Sequence, residues 1–196
     1  MCIRDSNTSG ELVIPAKYSW AYPFSEGRAF VIKNDYKELI DANGNTIVKY
    51  KDDLERENFS DGYAIIRRND KYGYINKSGK VVIKPSSKWY QVESFSEGLA
   101  SYWVGPTTFE NAYGYINKKG KIVIKPSYGQ AFQFSDGLAC VQDGKTYKYG
   151  FINKKGKKVI KCTYDYALNF KNGLACVMKN GKSYMIDKKG KTITIK

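Results

Sequence analysis

Short runs in which apolar and polar residues alternate recur along this chain, and turn-forming residues separate them. The best-formed runs are rich in aromatic and β-branched residues, as in Tyr113-Gly114-Tyr115-Ile116. Alternation with a period of two, carried by such residues, predicts strands that bury one face of a sheet. No segment has the longer apolar period of an amphipathic helix. The pattern therefore predicts an all-β protein.

A tight turn with Asn or Asp first and Gly fourth occurs six times, at spacings of 34, 35, 41, 36 and 34 residues. The Asn or Asp side chain can accept a backbone N–H two residues on, and the Gly suits the left-handed position of a bulged hairpin loop. A fixed period of this length predicts a tandem-repeat fold. The first and fourth residues of the turns are Asn7 and Gly10, Asp41 and Gly44, Asn76 and Gly79, Asn117 and Gly120, Asn153 and Gly156, and Asp187 and Gly190.

The strand that follows each turn has Val or Ile at its third residue after the Gly in all six copies. The second residue varies from Leu12 to Lys158. Because neighbouring strand residues face opposite sides of a sheet, we expect the third position on the strictly buried face. The third-position residues are Val13, Ile47, Val82, Val123, Val159 and Ile193.

A second motif, Phe followed three residues later by Gly, occurs five times and starts the next strand. Acidic residues precede four of these glycines and are interpreted as turn residues. The second residue after each Gly is Ala, which predicts a closely packed spine in which all five alanines are buried. The glycines are Gly27, Gly62, Gly98, Gly137 and Gly173, and the alanines are Ala29, Ala64, Ala100, Ala139 and Ala175.

Each period thus predicts three short antiparallel strands, with a further tight turn such as Asp143-Gly144 or Asn180-Gly181 leading to the next period. We predict one repeat domain over residues 7–196, with units starting near residues 7, 37, 72, 113, 149 and 183. Such repeats bury their core between neighbours. An open, twisted solenoid-like array is preferred, and the alternative is a closed propeller-like ring.

Two segments depart from the period. Residues 1–6 stand where a first strand belongs, and we interpret them as a truncated or foreign leader on a chain that is part of a longer array. The insertion at residues 105–111 accounts for the spacing of 41 residues and predicts a loop on one face.

The net charge of +14 is concentrated in residues 99–196, where 18 lysines face 5 acidic residues. Stacked turns would align many of these lysines as a stripe that binds an anionic polymer or a membrane surface. The alternative is that they maintain solubility and block edge-to-edge aggregation. The lack of Arg in this half disfavours specific nucleic-acid recognition. The stripe residues are Lys118, Lys119, Lys121, Lys154, Lys155, Lys157, Lys188, Lys189 and Lys191.

The chain contains no His, the commonest general base and a member of the usual Ser–His and Cys–His pairs. It also has no Cys-x-x-Cys. We therefore expect no enzyme activity, no metal and no cofactor. Cys140 and Cys176 share one repeat position, which also holds Phe30, Ile65 and Ser101. They either pair across stacked units or serve as small apolar residues.

Residues 113–126 and 134–141 together resemble the WG repeat family of bacteria, and the resemblance extends over residues 7–196. The Trp of the family name is replaced by Tyr at positions 72, 113 and 149. The resemblance implies a bacterial β-rich repeat module, often found in envelope, secreted or large multi-domain proteins. It implies no established catalytic activity and supplies no active-site residues.

These observations predict a non-catalytic interaction scaffold that binds a protein or an envelope polymer. The lysine stripe is one alternative. Carbohydrate binding by an exposed row of Tyr72, Tyr113 and Tyr149 is another, although we expect these tyrosines to line the core. No apolar run approaches the ~20 residues of a membrane-spanning helix. An envelope or secreted location is preferred to a cytoplasmic one.

Overall fold

The computed structural model of the protein describes residues 5–6, 12–14, 17–50, 58–106 and 112–193. Within these ranges every regular element is a strand, and all paired strands are antiparallel. The prediction of an all-β tandem repeat is therefore confirmed. The turn at residues 7–10, Cys2 and most of the 105–111 insertion lie outside the described residues, and the leader is described only at Asp5 and Ser6.

The first compact unit, Met1–Ser87, contains three sheets. Their orders are β1-β2, β3-β4-β5-β6 and β7-β8-β9. The strands are β1 (Asp5–Ser6), β2 (Leu12–Ile14), β3 (Trp20–Ala21), β4 (Arg28–Lys33), β5 (Tyr36–Asp41), β6 (Thr46–Tyr50), β7 (Tyr63–Arg68), β8 (Lys71–Asn76) and β9 (Val81–Ser86).

The second compact unit, Lys88–Lys196, contains three four-stranded sheets. Each follows chain order, and none closes on itself: β10-β11-β12-β13, β14-β15-β16-β17 and β18-β19-β20-β21. The strands are β10 (Gln91–Val92), β11 (Leu99–Trp103), β12 (Tyr113–Asn117), β13 (Ile122–Tyr128), β14 (Gln130–Ser135), β15 (Leu138–Gln142), β16 (Tyr149–Asn153), β17 (Lys158–Tyr164), β18 (Tyr166–Ala167), β19 (Leu174–Lys179), β20 (Lys182–Asp187) and β21 (Thr192–Ile193).

The predicted three-stranded pattern is present, and in four of the described sheets the structure adds a further strand in front of it. The stretch before the Phe-containing motif forms a strand of only two residues in β3, β10 and β18 and of six residues in β14. These strands pair with the outer edge of the strand that starts after the motif.

The core lies between successive sheets, as expected for a repeat array. In the second unit, Leu99, Tyr115 and Ile124 from one sheet pack with Phe134 and Val141 from the next. The five alanines of the predicted spine have exposed fractions of 0 or 1%, which confirms that all are buried.

The expectation that the third residue after each turn is buried is wrong. Val82, Val123, Val159 and Ile193 are 36–43% exposed, and Ile47 is only partly buried. In the pairing of β12 with β13, Tyr115 faces Ile124 and Ile116 faces Ile122, so Val123 is an extra residue in a bulge. A bulged residue turns away from the paired face, and the fourth residue, such as Ile124, is buried instead.

A second irregularity explains the Gly of the Tyr-Gly-Tyr motif. A Cβ built on Gly73, Gly114 or Gly150 would lie 2.5–2.6 Å from a carbonyl oxygen of the following strand. In the sheet formed by β3 to β6 the equivalent residue is Glu38 instead of Gly. There the pairing of β5 with β6 runs through this residue without a shift. Glu38 is 3% exposed. Burial opposes its charge, but hydrogen bonds from Thr46 and Lys49 outweigh burial and hold the pKa of Glu38 below its usual value.

The two Asx-Gly turns behave differently. Asn180-Gly181 forms the predicted two-residue hairpin loop, with φ values of 51° and 72° and Lys179 opposite Lys182. Asp143-Gly144 does not. The Asp143 side chain accepts hydrogen bonds from the Lys145 and Thr146 amides, and the loop continues until Tyr149 starts β16.

Candidate functional site

The Asn and Asp residues of the repeated turn hold two backbone amides each. In the second unit Asn117 Oδ1 accepts from the amides of Lys119 and Lys121, both at 3.0 Å. The next two turns repeat the contacts: Asn153 and Asp187 accept from the amides two and four residues on, at 2.9–3.0 Å. The glycines Gly79, Gly120, Gly156 and Gly190 have φ values of 70–81°, which confirms the predicted left-handed position.

Successive turns pack on the strands of the preceding sheet. A Cβ built on Gly156 would lie 3.3 Å from Ile124, and one built on Gly190 would lie 3.5 Å from Ile160. The Tyr128 hydroxyl also donates to the Gly156 carbonyl at 3.4 Å. Because each of these turns packs on the preceding sheet in the same way, equivalent turn residues follow one another along one edge, at roughly the 10 Å spacing of packed sheets.

The acidic residues of the Phe-containing motif connect neighbouring sheets. Glu97 has a φ of 52°, and both its carboxylate oxygens accept from the Gly137 amide of the next sheet at 3.1 Å. Asp136 accepts in the same way from the Gly173 amide. Sequence reasoning assigned these carboxylates to turns but missed the contact between sheets. Their presence in four of five copies was the available signal.

One position of the predicted lysine stripe is partly used by the fold. Lys154, the residue directly after Asn153, pairs with Glu97 of the preceding sheet at 3.0 Å. Lys77 pairs in the same way with Glu26 in the first unit at 3.0 Å. Burial opposes ionisation of Glu26, but Lys77 and the backbone amides of Gly62 and Asp61 together outweigh burial and hold the pKa of that carboxyl below its usual value. Lys118 also interacts with another group.

The second and fourth positions after the Asn or Asp differ from the first. Their side chains are exposed, and no carboxylate in the described part of the chain forms an ion pair with them. Their backbone amides are held by the turn, so the six side chains leave the backbone at fixed positions. We call them the lysine edge: Lys119, Lys121, Lys155, Lys157, Lys189 and Lys191.

The three tyrosines of the Tyr-Gly motif line the core and do not form an exposed row. Tyr72 is 9% exposed. Tyr113 and Tyr149 are partly buried and pack against the clusters between sheets. The interpretation as core residues is confirmed.

Cys140, Cys162 and Cys176 are all free thiols. Cys140 and Cys176 therefore do not pair, and the interpretation as small packing residues holds for Cys140, which is 1% exposed. Burial raises the pKa of the Cys140 thiol to about 12. A thiol is a nucleophile only as thiolate, so this sulfur is unsuited to covalent chemistry.

We expect iodoacetamide at about pH 8 to modify Cys140 at least ~10-fold more slowly than Cys176 in the folded protein, because burial raises the pKa of the Cys140 thiol and limits the access of the reagent to it. Peptide mapping by mass spectrometry at successive times measures both rates in one sample. In denaturant the two rates should become equal. Equal rates in the folded protein would contradict the burial of Cys140.

Within the described ranges no group of three or more Cys, Asp or Glu residues is placed to hold a metal ion. The same ranges contain no helix long and apolar enough to cross a membrane.

The repeated turn, the glycine beside the aromatic residue and the sheet-to-sheet contacts define a repeat that a family model also recognises. The model described as "WG containing repeat" matches residues 6–36, 39–72, 72–102, 113–147 and 149–182. The chain belongs to the WG containing repeat family. A comparison with the curated proteins finds no match to this chain.

The fold of this WG containing repeat protein is similar to those of several solved structures. Hsv2 of Kluyveromyces lactis matches with a TM-score of 0.57 and 9% identity, over 88% of this chain and 62% of Hsv2. A eukaryotic initiation factor matches with a TM-score of 0.56 and 11% identity, over 90% of this chain and 54% of that chain. The WG containing repeat chain thus spans less than two thirds of the length of each.

At these identities the likeness is one of fold alone, and the Hsv2 fold is β-propeller-like. Propellers repeat four-stranded sheets, as the second unit does. Repeat family and fold together suggest a repeat interaction module, and such proteins are usually non-catalytic. The choice between an open array and a closed ring stays a prediction.

Proposed function

We propose that this WG containing repeat protein is a non-catalytic interaction module that binds an anionic polymer, either an acidic protein segment or an envelope polymer, along its lysine edge. The observation that carries the proposal is the set of six exposed lysines, two from each of three stacked turns, without a described carboxylate partner. Exposed ion pairs are weak singly, so a series of contacts along an extended partner is needed for affinity.

Two further features support an extended partner over a compact one. The turns follow one another on packed sheets, so the charges form a line rather than a cluster. Lysine offers a point charge rather than the two-pronged geometry of Arg, which suits a flexible polymer with carboxylate or phosphate groups. A bacterial envelope or secreted setting, where such polymers occur, belongs to the same proposal.

Binding to poly-L-glutamate and to poly(glycerol phosphate) should weaken with salt, since each contact adds about 0.7–0.9 to the slope of log affinity against log salt. The variant K119Q/K155Q/K189Q removes one charge from each turn. We expect it to bind at least ~10-fold less tightly and to have a slope lower by about 2. Fluorescence anisotropy over a salt series gives both quantities.

The matched control is K161Q/K179Q/K182Q, which removes the same charge from three exposed lysines outside the edge. It should change the affinity by no more than ~2–3-fold, through net charge alone. A slope near zero for the unmodified protein would reject the lysine edge. Equal losses in the two triple variants would do so as well.

A further inference from the structure

A cavity of about 390 Å³ opens between two adjacent sheets of the second unit. It lies between β11 and β12 on one side and β14 on the other, and Glu93, which follows β10, and Asn169, which follows β18, complete its lining. Its volume falls in the lower part of the ~300–1,000 Å³ range of small-molecule sites. The lysine edge contributes no residue to its lining.

The cavity coincides with the smallest side chain at one repeat position. In other repeats this position carries Phe30, Ile65 or Cys140, which are at most 1% exposed, or Cys176, which is partly buried. Cys140 lies within the cluster between its sheet and the next, with its sulfur 3.6 Å from the Ala167 carbonyl oxygen. Ser101 carries only a hydroxyl at this position and is one of the residues that line the cavity.

Ser101 is also an unusual polar group for a core. It is 1% exposed, lines the cavity, and its hydroxyl has no hydrogen-bond partner. A buried polar group without a partner is unfavourable in a folded protein. The hydroxyl therefore adds an unpaired polar group to the lining of the cavity.

The opposite wall is shaped by a bulge in β14. Ala131 pairs with Val141 and Phe134 with Ala139, so Phe132 and Gln133 lie in an irregular step of the pairing. Both side chains are exposed and line the cavity. The hydroxyl of buried Tyr115 donates to the Phe132 carbonyl at 2.8 Å, which fixes the backbone of the bulge. Bulges often direct side chains in this way beside binding sites.

The polar lining has a definite chemistry. It comprises the carboxylate of Glu93, the phenol of Tyr113 and the amides of Gln130, Gln133 and Asn169, and it includes no Lys or Arg. Burial raises the pKa of Tyr113, and the negative charge of Glu93 adds to this effect. The phenol therefore stays protonated. An ionised carboxylate only accepts hydrogen bonds, whereas amides both donate and accept.

We propose that this cavity binds a neutral saccharide. A sugar ring has hydroxyls that donate to Glu93 and both accept from and donate to the amides, and it has an apolar C–H face that can lie on the exposed face of Phe132. An anionic ligand would meet the charge of Glu93 without a compensating cation. The site differs from the row of tyrosines considered from the sequence, and it does not depend on the lysine edge.

The test is titration of the full chain with methyl glucoside, methyl galactoside, methyl mannoside, N-acetylglucosamine, cellobiose and chitobiose, followed by two-dimensional amide NMR. At least one sugar is expected to shift amides of residues 130–133 and 101. F132A should weaken that sugar at least ~10-fold. S101I, which places the side chain of Ile65 in the cavity, should abolish the shifts while the spectrum stays that of a folded protein.

L168A is the matched control, because Leu168 holds the repeat position of Phe132 in the next sheet and is 48% exposed. It should leave the affinity within ~2-fold. If no sugar shifts these amides at about 20 mM, a range that includes weak mM binding, the proposal is wrong. It is equally wrong if F132A and L168A have the same effect, or if tetramethylammonium displaces the sugar at the same amides and binds more tightly.

Discussion

Replacing Gly150 with Ala is expected to lower the free energy of unfolding by about 3 kcal/mol or more, among the larger effects of a single methyl group. The added Cβ would lie 2.6 Å from the Ile160 carbonyl oxygen and 2.7 Å from the Cys162 amide nitrogen. Both atoms belong to the backbone of β17, so no side-chain rotation can relieve the contact. The strand has to move away, and its pairing with β16 is lost locally.

The matched variant is G173A. Gly173 has a φ of 81°, but a methyl group added there would have no other atom within 4 Å, so Ala meets strain without a clash. The cost of a left-handed residue is about 1–2 kcal/mol. Urea unfolding followed by tyrosine fluorescence measures both variants. If G150A is no less stable than G173A, the close approach of β17 to Gly150 is incorrect.

Replacing Phe134 with Ala is expected to cost about 3–5 kcal/mol, the usual range for an aromatic residue in a packed core. Phe134 is 1% exposed and packs edge-on against Tyr115 with 5.0 Å between ring centroids. It contacts the cluster that joins two neighbouring sheets. The loss is therefore expected to separate those sheets as well as to leave a cavity.

F132A provides the comparison on the same strand. Phe132 is 39% exposed, so we expect its removal to change stability by only about 0.5 kcal/mol. Thermal unfolding by circular dichroism, with both variants at one concentration, is sufficient. A large loss in F132A would mean that the cavity wall is part of the core, and it would also remove this variant as a probe of sugar binding.

The parts of the fold that could be predicted from the sequence are those that depend only on residues within one repeat. The Asn153 turn needs a left-handed Gly and an oxygen near two amides, and both are visible in the sequence. Alanine recurs at the repeat position of Ala139, and that side chain is fully buried. Val123 misled the prediction because a β-branched residue suits any strand, and only the bulge shows that it faces outward.

The features of the candidate sites that were missed depend on neighbouring sheets. Glu97 has turn chemistry in the sequence, and its bond to the Gly137 amide exists only once two sheets stack. Ser101 was noted as one member of a variable position. Whether Ser101 lines a cavity depends on how the neighbouring sheets pack around it, and no pattern within a single repeat contains that information.

In the Asx turn, the residues that form its hydrogen bonds and backbone geometry differ from those whose side chains point to solvent. Asn153 and Gly156 form the bonds and the backbone geometry, while the side chains of Lys155 and Lys157 take no part in them. Substitutions of Lys155 and Lys157 therefore leave the hydrogen bonds of the turn intact. A designer can change the charge of such an array turn by turn without altering its scaffold.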